Sequence, residues 1–448
     1  MRAPRLLGTA VLAATAAWAL VGAAAAQGPR REQLPSGLTL LVRENTATPV
    51  VAASLFVRVG SRWETEDDAG ISHLLQQVLL KGTPTRSALE IAEAAEGLGG
   101  GISASADMDF SELRATALAR NWKKMIELMA DVALRPTLPD AEIDGERRAM
   151  LTALRSRQDQ PFPLAMDTVM SRVYGDHPYG RPILGRPAPL ERIDRAGLLA
   201  YHQRFYRAPR MILAVSGDVS AREVMAEVAR RFAAAPAGEG EPEPTLPAAV
   251  ARADRTVLVR PSAQAQVLVA FLAPPTSHPD YAAVKVLTTA LGGGMAGRLF
   301  TEVRDKQGLA YSTGGAYPSR LGPGVLYMQL GTAPANQVRA EAAMLGELER
   351  IRRDPVNPAE LTRAKAYLLG NFALDRRTNA RLAWYDAFFE VLGVGLDFAD
   401  RYTRAVEAVT GSAMVTSPES TPKVPLTTPS PNRCRVVKLT DEPDGSIR

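Results

Sequence analysis

The chain has 448 residues, a hydrophobic fraction of 46%, a charged fraction of 23% and a formal net charge of +5. These values are typical of a globular protein with a sizeable core, and the length suggests two or three domains. A charge surplus this small, without a basic run, argues against a nucleic-acid-binding protein. The single cysteine, Cys434, excludes an internal disulfide, so the core alone must hold the fold.

The N-terminal residues have the layout of a secretory signal peptide. Arg2 and Arg5 precede an apolar run that ends in small residues at Ala26. We therefore expect residues 1–26 to be cleaved and the mature protein to be periplasmic or otherwise exported. A retained membrane anchor is the alternative, which the Ala-rich run and the cleavage pattern disfavour. No other segment approaches the roughly 20 apolar residues that span a bilayer.

Hydrophobic periodicity predicts alternating strands and helices along the first half of the chain. Strands are expected at 38–44, 50–60 and 210–220, a long strand or hairpin at 101–118, and helices at 70–83, 87–97, 121–134 and about 140–158. The helix at 87–97 begins with a capping box formed by Ser87 and Glu90. After a Pro-, Gly- and Glu-rich stretch, strands restart at 256–260 and 266–274.

The two halves of the chain resemble each other. Residues 134–154 and 352–372 both place a proline before an acidic helix start and a basic amphipathic helix. This ordered similarity predicts duplicated α+β domains that face each other. The expected division is a signal peptide at 1–26, an N-terminal domain at 30–232, a linker at 233–251, a C-terminal domain at 252–414 and a Pro/Ser/Thr-rich tail at 415–448.

The tail lacks the pattern that ends the first half. Where the first half continues through a helix into a strand, the second half has Pro, Ser and Thr without helical period. Either the last helix and strand are lost or the sequence of the tail is damaged. We expect Ser417–Pro431 to be disordered or extended.

The segment GISHLLQQVLLKGT, residues 70–83, combines an apolar stripe at helical spacing with three polar side chains on the other side: His73, Gln76 and Gln77. Only His73 is of a residue type that binds zinc readily, and an amide at position 76 cannot accept a proton near neutral pH. A single ligand does not hold zinc tightly. The simplest interpretation of His73 alone is a helix histidine hydrogen-bonded to a neighbour.

This segment resembles the active-site helix of the pitrilysin/insulinase family of zinc peptidases, which includes the mitochondrial processing peptidases. The family's His-x-x-Glu-His is the inverted zincin motif, in which two histidines bind zinc and the glutamate activates water. The resemblance implies that His73, Gln76 and Gln77 stand at these three positions, and that the third ligand, a distal glutamate, falls at or next to Ala153. No metal is therefore expected in this chain, where His73 is a lone remnant.

The resemblance runs from about Leu34 to Thr410 and is most specific in LGGGMAGRLFTEVRDKQGLAYS, residues 291–312. It implies an α+β fold of two homologous domains, each a mixed sheet packed with helices, arranged as a clamshell around a chamber. In such peptidases the second half supplies an arginine and a tyrosine that reach the substrate, here Arg304 and Tyr311. Both side chains can donate to a carbonyl oxygen that gains negative charge.

Further substrate contacts are expected from the glycine-rich segment and from an edge strand that pairs with an extended peptide. The expected substrate-binding residues are Gly292, Gly293, Gly294, Ser103 and Ala104. A surface arginine and a core tyrosine are the alternative interpretation of Arg304 and Tyr311.

Three hypotheses follow, and whether the chain is an enzyme stays open at this point. In the first, the chain is a non-catalytic, peptide-binding subunit that contributes Arg304 and Tyr311 to a site shared with a homologous, zinc-bearing catalytic subunit. In the second, it is a stand-alone peptide-binding or scaffold protein without a peptidase role. In the third, which the ligand count disfavours, it is a peptidase by itself. The expected substrate is an unfolded peptide.

Overall fold

A computed structural model describes residues 28–238, 241–249, 254–354, 356–411 and 435–440. The expected signal peptide and the segment Ser417–Pro431 lie outside these residues. Residues 241–249, within the expected linker, form neither helix nor strand. None of the helices in the described ranges is long and apolar enough to cross a bilayer.

The first half of the chain folds into a six-stranded sheet with helices. Its strands are β1 (Arg30–Gln33), β2 (Thr39–Glu44), β3 (Val50–Val57), β6 (Gly101–Ala106), β7 (Ser111–Leu118) and β8 (Met211–Gly217), and a separate two-stranded ribbon is formed by β4 (Gly82–Thr83) and β5 (Arg86–Ser87). Its helices are α1 (Ile71–Leu79), α2 (Ala88–Gly97), α3 (Trp122–Leu134), α4 (Asp140–Asp159), α5 (Pro161–Tyr174), α6 (Pro187–Arg192), α7 (Arg195–Phe205) and α8 (Ala221–Arg231). The capping box of α2 is present as predicted.

The second half builds a five-stranded sheet. Its strands are β9 (Asp254–Val259), β10 (Ala265–Ala273), β11 (Ser312–Ala316), β12 (Gly324–Thr332) and β13 (Arg435–Thr440). Its helices are α9 (Tyr281–Gly292), α10 (Gln337–Arg353), α11 (Pro358–Asp375), α12 (Asn379–Val391) and α13 (Phe398–Ala408), with a π-helix at Leu299–Lys306.

Five strands of the first sheet, β2-β8-β3-β7-β6, have the same topology as the second sheet, which confirms the predicted duplication; β1 is an additional edge strand. The first sheet has the order β1-β2-β8-β3-β7-β6 and the second the order β9-β13-β10-β12-β11. In each sheet one parallel pair, β2 with β8 and β9 with β13, accompanies antiparallel neighbours. The α+β fold of two homologous domains is therefore confirmed.

Of the two alternatives for the tail, the loss of the last strand is wrong, because residues 435–440 are a strand. These residues form β13, which lies between β9 and β10 as β8 lies between β2 and β3. The Pro/Ser/Thr-rich composition before this segment conceals it in the sequence, because a six-residue strand needs only a short apolar run such as Val436–Val437.

One helix from each domain packs on the sheet of the other domain. Helix α5 of the first half packs on the second sheet, where Ala165, Val169 and Val173 meet Leu268 and Ala270 of β10 in a shared apolar cluster. Reciprocally, α12 of the second half packs on β3 and β8 of the first sheet. Both sheets are thus covered on two faces, which explains why the central strands read as continuous apolar runs.

The interface between the halves is aromatic on the side of α12. The ring of Phe110 stacks on Phe56 with centroids 4.2 Å apart, and Trp384 and Phe388 of α12 contact Phe110 edge-on. Truncation of a phenylalanine buried in such a cluster typically costs about 3–5 kcal/mol, so these rings contribute strongly to the association of the two halves.

Candidate functional site

Helix α1 is anchored at its N-terminus by a buried carboxylate. Glu64 accepts hydrogen bonds from the backbone N–H groups of Gly70 and Ser72, both at 2.9 Å. Burial raises the pKa of Glu64 to about 7, and the two backbone donors act in the opposite direction. The hydroxyl groups of Ser72 and Tyr201 lie 2.8 Å apart. This cap fixes the position of the polar residues one turn later.

The three polar side chains of α1 are brought together on one side of the helix. The amide of Gln77 donates to His73 Nε2 at 3.3 Å, and Gln76 Nε2 donates to the Tyr206 hydroxyl at 2.5 Å. His73 Nδ1 and Gln76 Oε1 are buried and have no hydrogen-bond partner among the described residues. Burial lowers the pKa of His73, so the ring is neutral at neutral pH.

The residues of this site do not fit the zinc that the family resemblance implies. Within the described ranges, no three His, Cys, Asp or Glu side chains lie close enough together to hold a metal ion. Structural and catalytic zinc sites use at least three such protein ligands. Ala153, at the position of the distal ligand, lies exposed on α4 and offers a methyl group. A carboxylate base is equally absent at Gln76, because an amide has no basic site of suitable pKa.

Glu146, a carboxylate near His73, was not identified from the sequence. Glu146 lies on α4, two turns before Ala153, and its charge opposes the effect of burial on the pKa of His73. Its carboxylate is paired with Lys81 at 2.9 Å. Tyr206, which contacts Gln76, was also missed. No local pattern in the sequence identifies Glu146, because its nearness to His73 depends on how α4 packs beside α1.

The expected peptide-binding strand is the edge of the first sheet. Strand β6 pairs with β7 on one side, and no described strand pairs with its other side. Ser103 Oγ accepts a hydrogen bond from Arg114 Nε at 2.8 Å, whereas Ala104 packs against the apolar core below α1. The backbone of β6 is therefore available to an extended peptide, as strand addition requires.

Arg304 and Tyr311 lie in the second half and have few contacts of their own. Arg304 belongs to the π-helix, a rare geometry that is often found at functional sites, and its guanidinium lies 4.3 Å from the ring centroid of Phe300. Tyr311 is 61% exposed. Among the described residues, no hydrogen bond, ion pair or ring contact joins either side chain to α1.

The three glycines of the expected substrate-binding segment lie at the C-terminal end of α9, where chain packing is tight. A Cβ atom on Gly292 would lie 2.4 Å from the backbone nitrogen of Gly315 in β11. A Cβ atom on Gly293 would lie 2.6 Å from the carbonyl oxygen of Thr289, and Gly294 has a φ of +64°. Glycine is therefore required here for packing and backbone conformation, and the role in substrate binding stays a prediction.

Comparison with known proteins follows the two halves of the chain. Residues 39–186 match the family described as Insulinase (Peptidase family M16), and residues 192–368 match Peptidase M16 inactive domain. An uncharacterized zinc protease of Mycobacterium tuberculosis is 32% identical over 363 residues, which cover 78% of this chain and 81% of the relative. The uncharacterized zinc protease YmxG of Bacillus subtilis is 27% identical over 359 residues, covering 79% and 86%.

Solved structures give the same result for the fold. A peptidase M16 inactive domain from Pseudomonas fluorescens superposes with a TM-score of 0.86 at 23% identity, covering 94% of this chain and 100% of that one. A protease from Helicobacter pylori superposes with a TM-score of 0.81 at 22% identity, covering 92% and 99%. The two family models and the relative that is 32% identical over most of both chains establish that the chain belongs to the insulinase family of peptidases, family M16.

Proposed function

We propose that this chain is a non-catalytic, peptide-binding subunit of a zinc-dependent peptidase. The observation that carries the proposal is the uneven loss of the family's catalytic groups. On α1, Gln76 and Gln77 replace the base and the second histidine, whereas Arg304 and Tyr311 are retained in the second half. Hydrolysis then requires a homologous partner with an intact His-x-x-Glu-His helix, which would carry the zinc.

The surroundings of Arg304 and Tyr311 support a role outside their own chain. Tyr311 exposes most of its side chain, and the guanidinium of Arg304 has no carboxylate partner among the described residues. Both can therefore reach a substrate bound at the zinc of another subunit and donate hydrogen bonds to its carbonyl oxygen. Strand β6 of this chain would pair with the same substrate, an unfolded peptide, through its backbone. We further propose that the mature chain is exported.

The experiment is co-expression of this chain with a homologue that carries the intact motif, followed by an assay of peptide hydrolysis. If the two side chains stabilise the transition state, Arg304→Ala and Tyr311→Phe each lower kcat by roughly 10²–10³-fold, the usual effect of losing one oxyanion donor. Lys306→Ala is the matched control, because Lys306 is a cation in the same π-helix. Unchanged activity in both test variants would refute the shared site.

A stand-alone peptide-binding or scaffold function is the second candidate, and the open edge of β6 favours it as well, because strand addition needs no metal. This function predicts peptide binding that a chelator leaves unchanged and purification without a zinc-bearing homologue. Co-purification with such a homologue would favour the subunit of a shared peptidase over the stand-alone function.

A further inference from the structure

A cavity of about 290 Å³ lies between the first sheet and the first turns of α12. Its floor is formed by three adjacent strands: small residues such as Ser54 of β3 and Gly101 of β6, and the longer side chains of Glu112 and Arg114 on β7. Trp384 of α12 forms one wall. Helix α12 covers β3 and β8 but not the edge strand, so the small side chains leave open space beneath its N-terminal end.

The cavity lies beside the open edge of β6, on the sheet face opposite α1. Along β6, Gly101 and Ser103 face the cavity, whereas Ile102 and Ala104 pack toward the core below α1. Side chains of an added strand would alternate in the same way, because the side-chain period of a strand is two. Every second side chain of a peptide paired with β6 would thus point to the face that holds the cavity.

The size of the cavity suits a large side chain. An engineered protein cavity of about 150 Å³ binds benzene, and this one has roughly twice that volume. A Cβ atom added at Gly101 would meet no heavy atom within 4 Å, so the space directly above the edge strand is empty. The indole of Trp384 is held in place by stacking on Phe388, with ring centroids 4.5 Å apart.

Three charged residues line the cavity, Glu112, Arg114 and Arg381, and each has a partner within the chain; Arg114 Nε donates to Ser103 Oγ at 2.8 Å. Glu112, buried at its floor, accepts a hydrogen bond from Ser54 Oγ at 3.1 Å. Arg381 stacks on Trp384, with its guanidinium carbon 4.4 Å from the ring centroid, and is paired with Asp375 at 2.5 Å. The rest of the lining includes alanine, isoleucine and tryptophan side chains, which favour an uncharged apolar occupant.

We propose that this cavity is a specificity pocket that takes one large apolar side chain, such as leucine, methionine or phenylalanine, from an extended peptide paired with β6. This inference rests on the proposed peptide-binding function and adds the class of peptide that is selected. The pocket selects among side chains on one face of the bound peptide, whereas backbone pairing with β6 binds the peptide irrespective of its sequence.

The test measures binding of three labelled, unstructured peptides to the full chain in the presence of a chelator, by fluorescence anisotropy. The peptides share a polar sequence and differ in one central residue, which is Phe, Ala or Arg. Burial of a phenylalanine side chain predicts binding about tenfold tighter for the Phe peptide than for the Ala peptide. Gly101→Leu fills the pocket and should reduce this preference to within about twofold.

Two further variants make the result decisive. Ala226→Leu adds bulk at an exposed position of α8, outside both β6 and the cavity lining, and should keep the full preference. Ala380→Leu fills the pocket from α12 and should abolish the preference if Gly101→Leu impairs folding. An unchanged preference in the two filled variants, or tightest binding of the Arg peptide through Glu112, would overturn the pocket but leave peptide binding intact. No binding of any peptide to the unmodified chain would refute the proposed function itself.

Discussion

The ion pair between Arg43 and Asp386 joins the two halves of the molecule and gives a quantitative prediction. Arg43 Nε and Nη2 donate to the two carboxylate oxygens of Asp386 at 3.0 and 2.8 Å, across 343 residues of sequence. The side chains are only 12% and 4% exposed. Asp386→Ala leaves the guanidinium of Arg43 buried and unpaired, near the like charge of Arg376. We expect a loss of about 3–5 kcal/mol in the free energy of unfolding.

The assay is urea unfolding of the full chain followed by tryptophan fluorescence. Because α5 and α12 each pack on the sheet of the other half, we expect one transition, and Asp386→Ala should shift it as a whole. Replacement of both partners, Arg43→Met with Asp386→Leu, should recover most of the loss, since no unpaired charge remains. Glu223→Ala breaks the exposed pair with Lys123 and should cost less than about 1 kcal/mol. A cost below about 1 kcal/mol for Asp386→Ala, or two separate transitions, would refute this reasoning.

Three further predictions concern the core, the cap of α1 and the glycine segment. Phe110→Ala should lower the free energy of unfolding by about 3–5 kcal/mol, measured by the same urea titration, because it leaves a void between Phe56 and α12. The pKa of Glu64 is about 7 in the folded protein and lower in the unfolded chain, so between these two pKa values the folded state binds more protons. The free energy of unfolding should therefore fall by up to about 3 kcal/mol as the pH rises toward 7, and then level off. Glu64→Gln should flatten this profile; an identical pH dependence in the variant would exclude Glu64 as its source. Gly292→Ala should cost about 1–3 kcal/mol in a thermal or urea melt, because its Cβ meets the backbone of Gly315; a stability equal to that of the unmodified chain would contradict the close packing.

Local patterns in the sequence predict most of the strands and helices. The apolar runs at 38–44, 50–60 and 266–274 contain β2, β3 and β10, and the repeat at 134–154 and 352–372 contains helices at equivalent places in the two halves. These patterns are sufficient because the period of apolar residues reports which faces are buried. They do not indicate which element covers each face. The packing of α5 on the second sheet and of α12 on the first was therefore not predictable.

The remnant site was predictable in its chemistry and not in its surroundings. The residue types at His73, Gln76 and Gln77 determine that the helix lacks a base and a second imidazole. The contacts of Gln76 with Tyr206 and the nearness of Glu146 to His73 depend on how α7 and α4 pack beside α1. Such contacts between distant segments leave no periodic signal in a single sequence.

The central claim is that this chain has no hydrolytic chemistry of its own, and its most direct test is the zinc content and peptidase activity of the purified chain. After dialysis against zinc, we expect substoichiometric metal and no peptide cleavage that a chelator abolishes, because α1 offers one imidazole and two amides. One zinc ion per chain, together with chelator-sensitive cleavage by the isolated chain, would contradict the account.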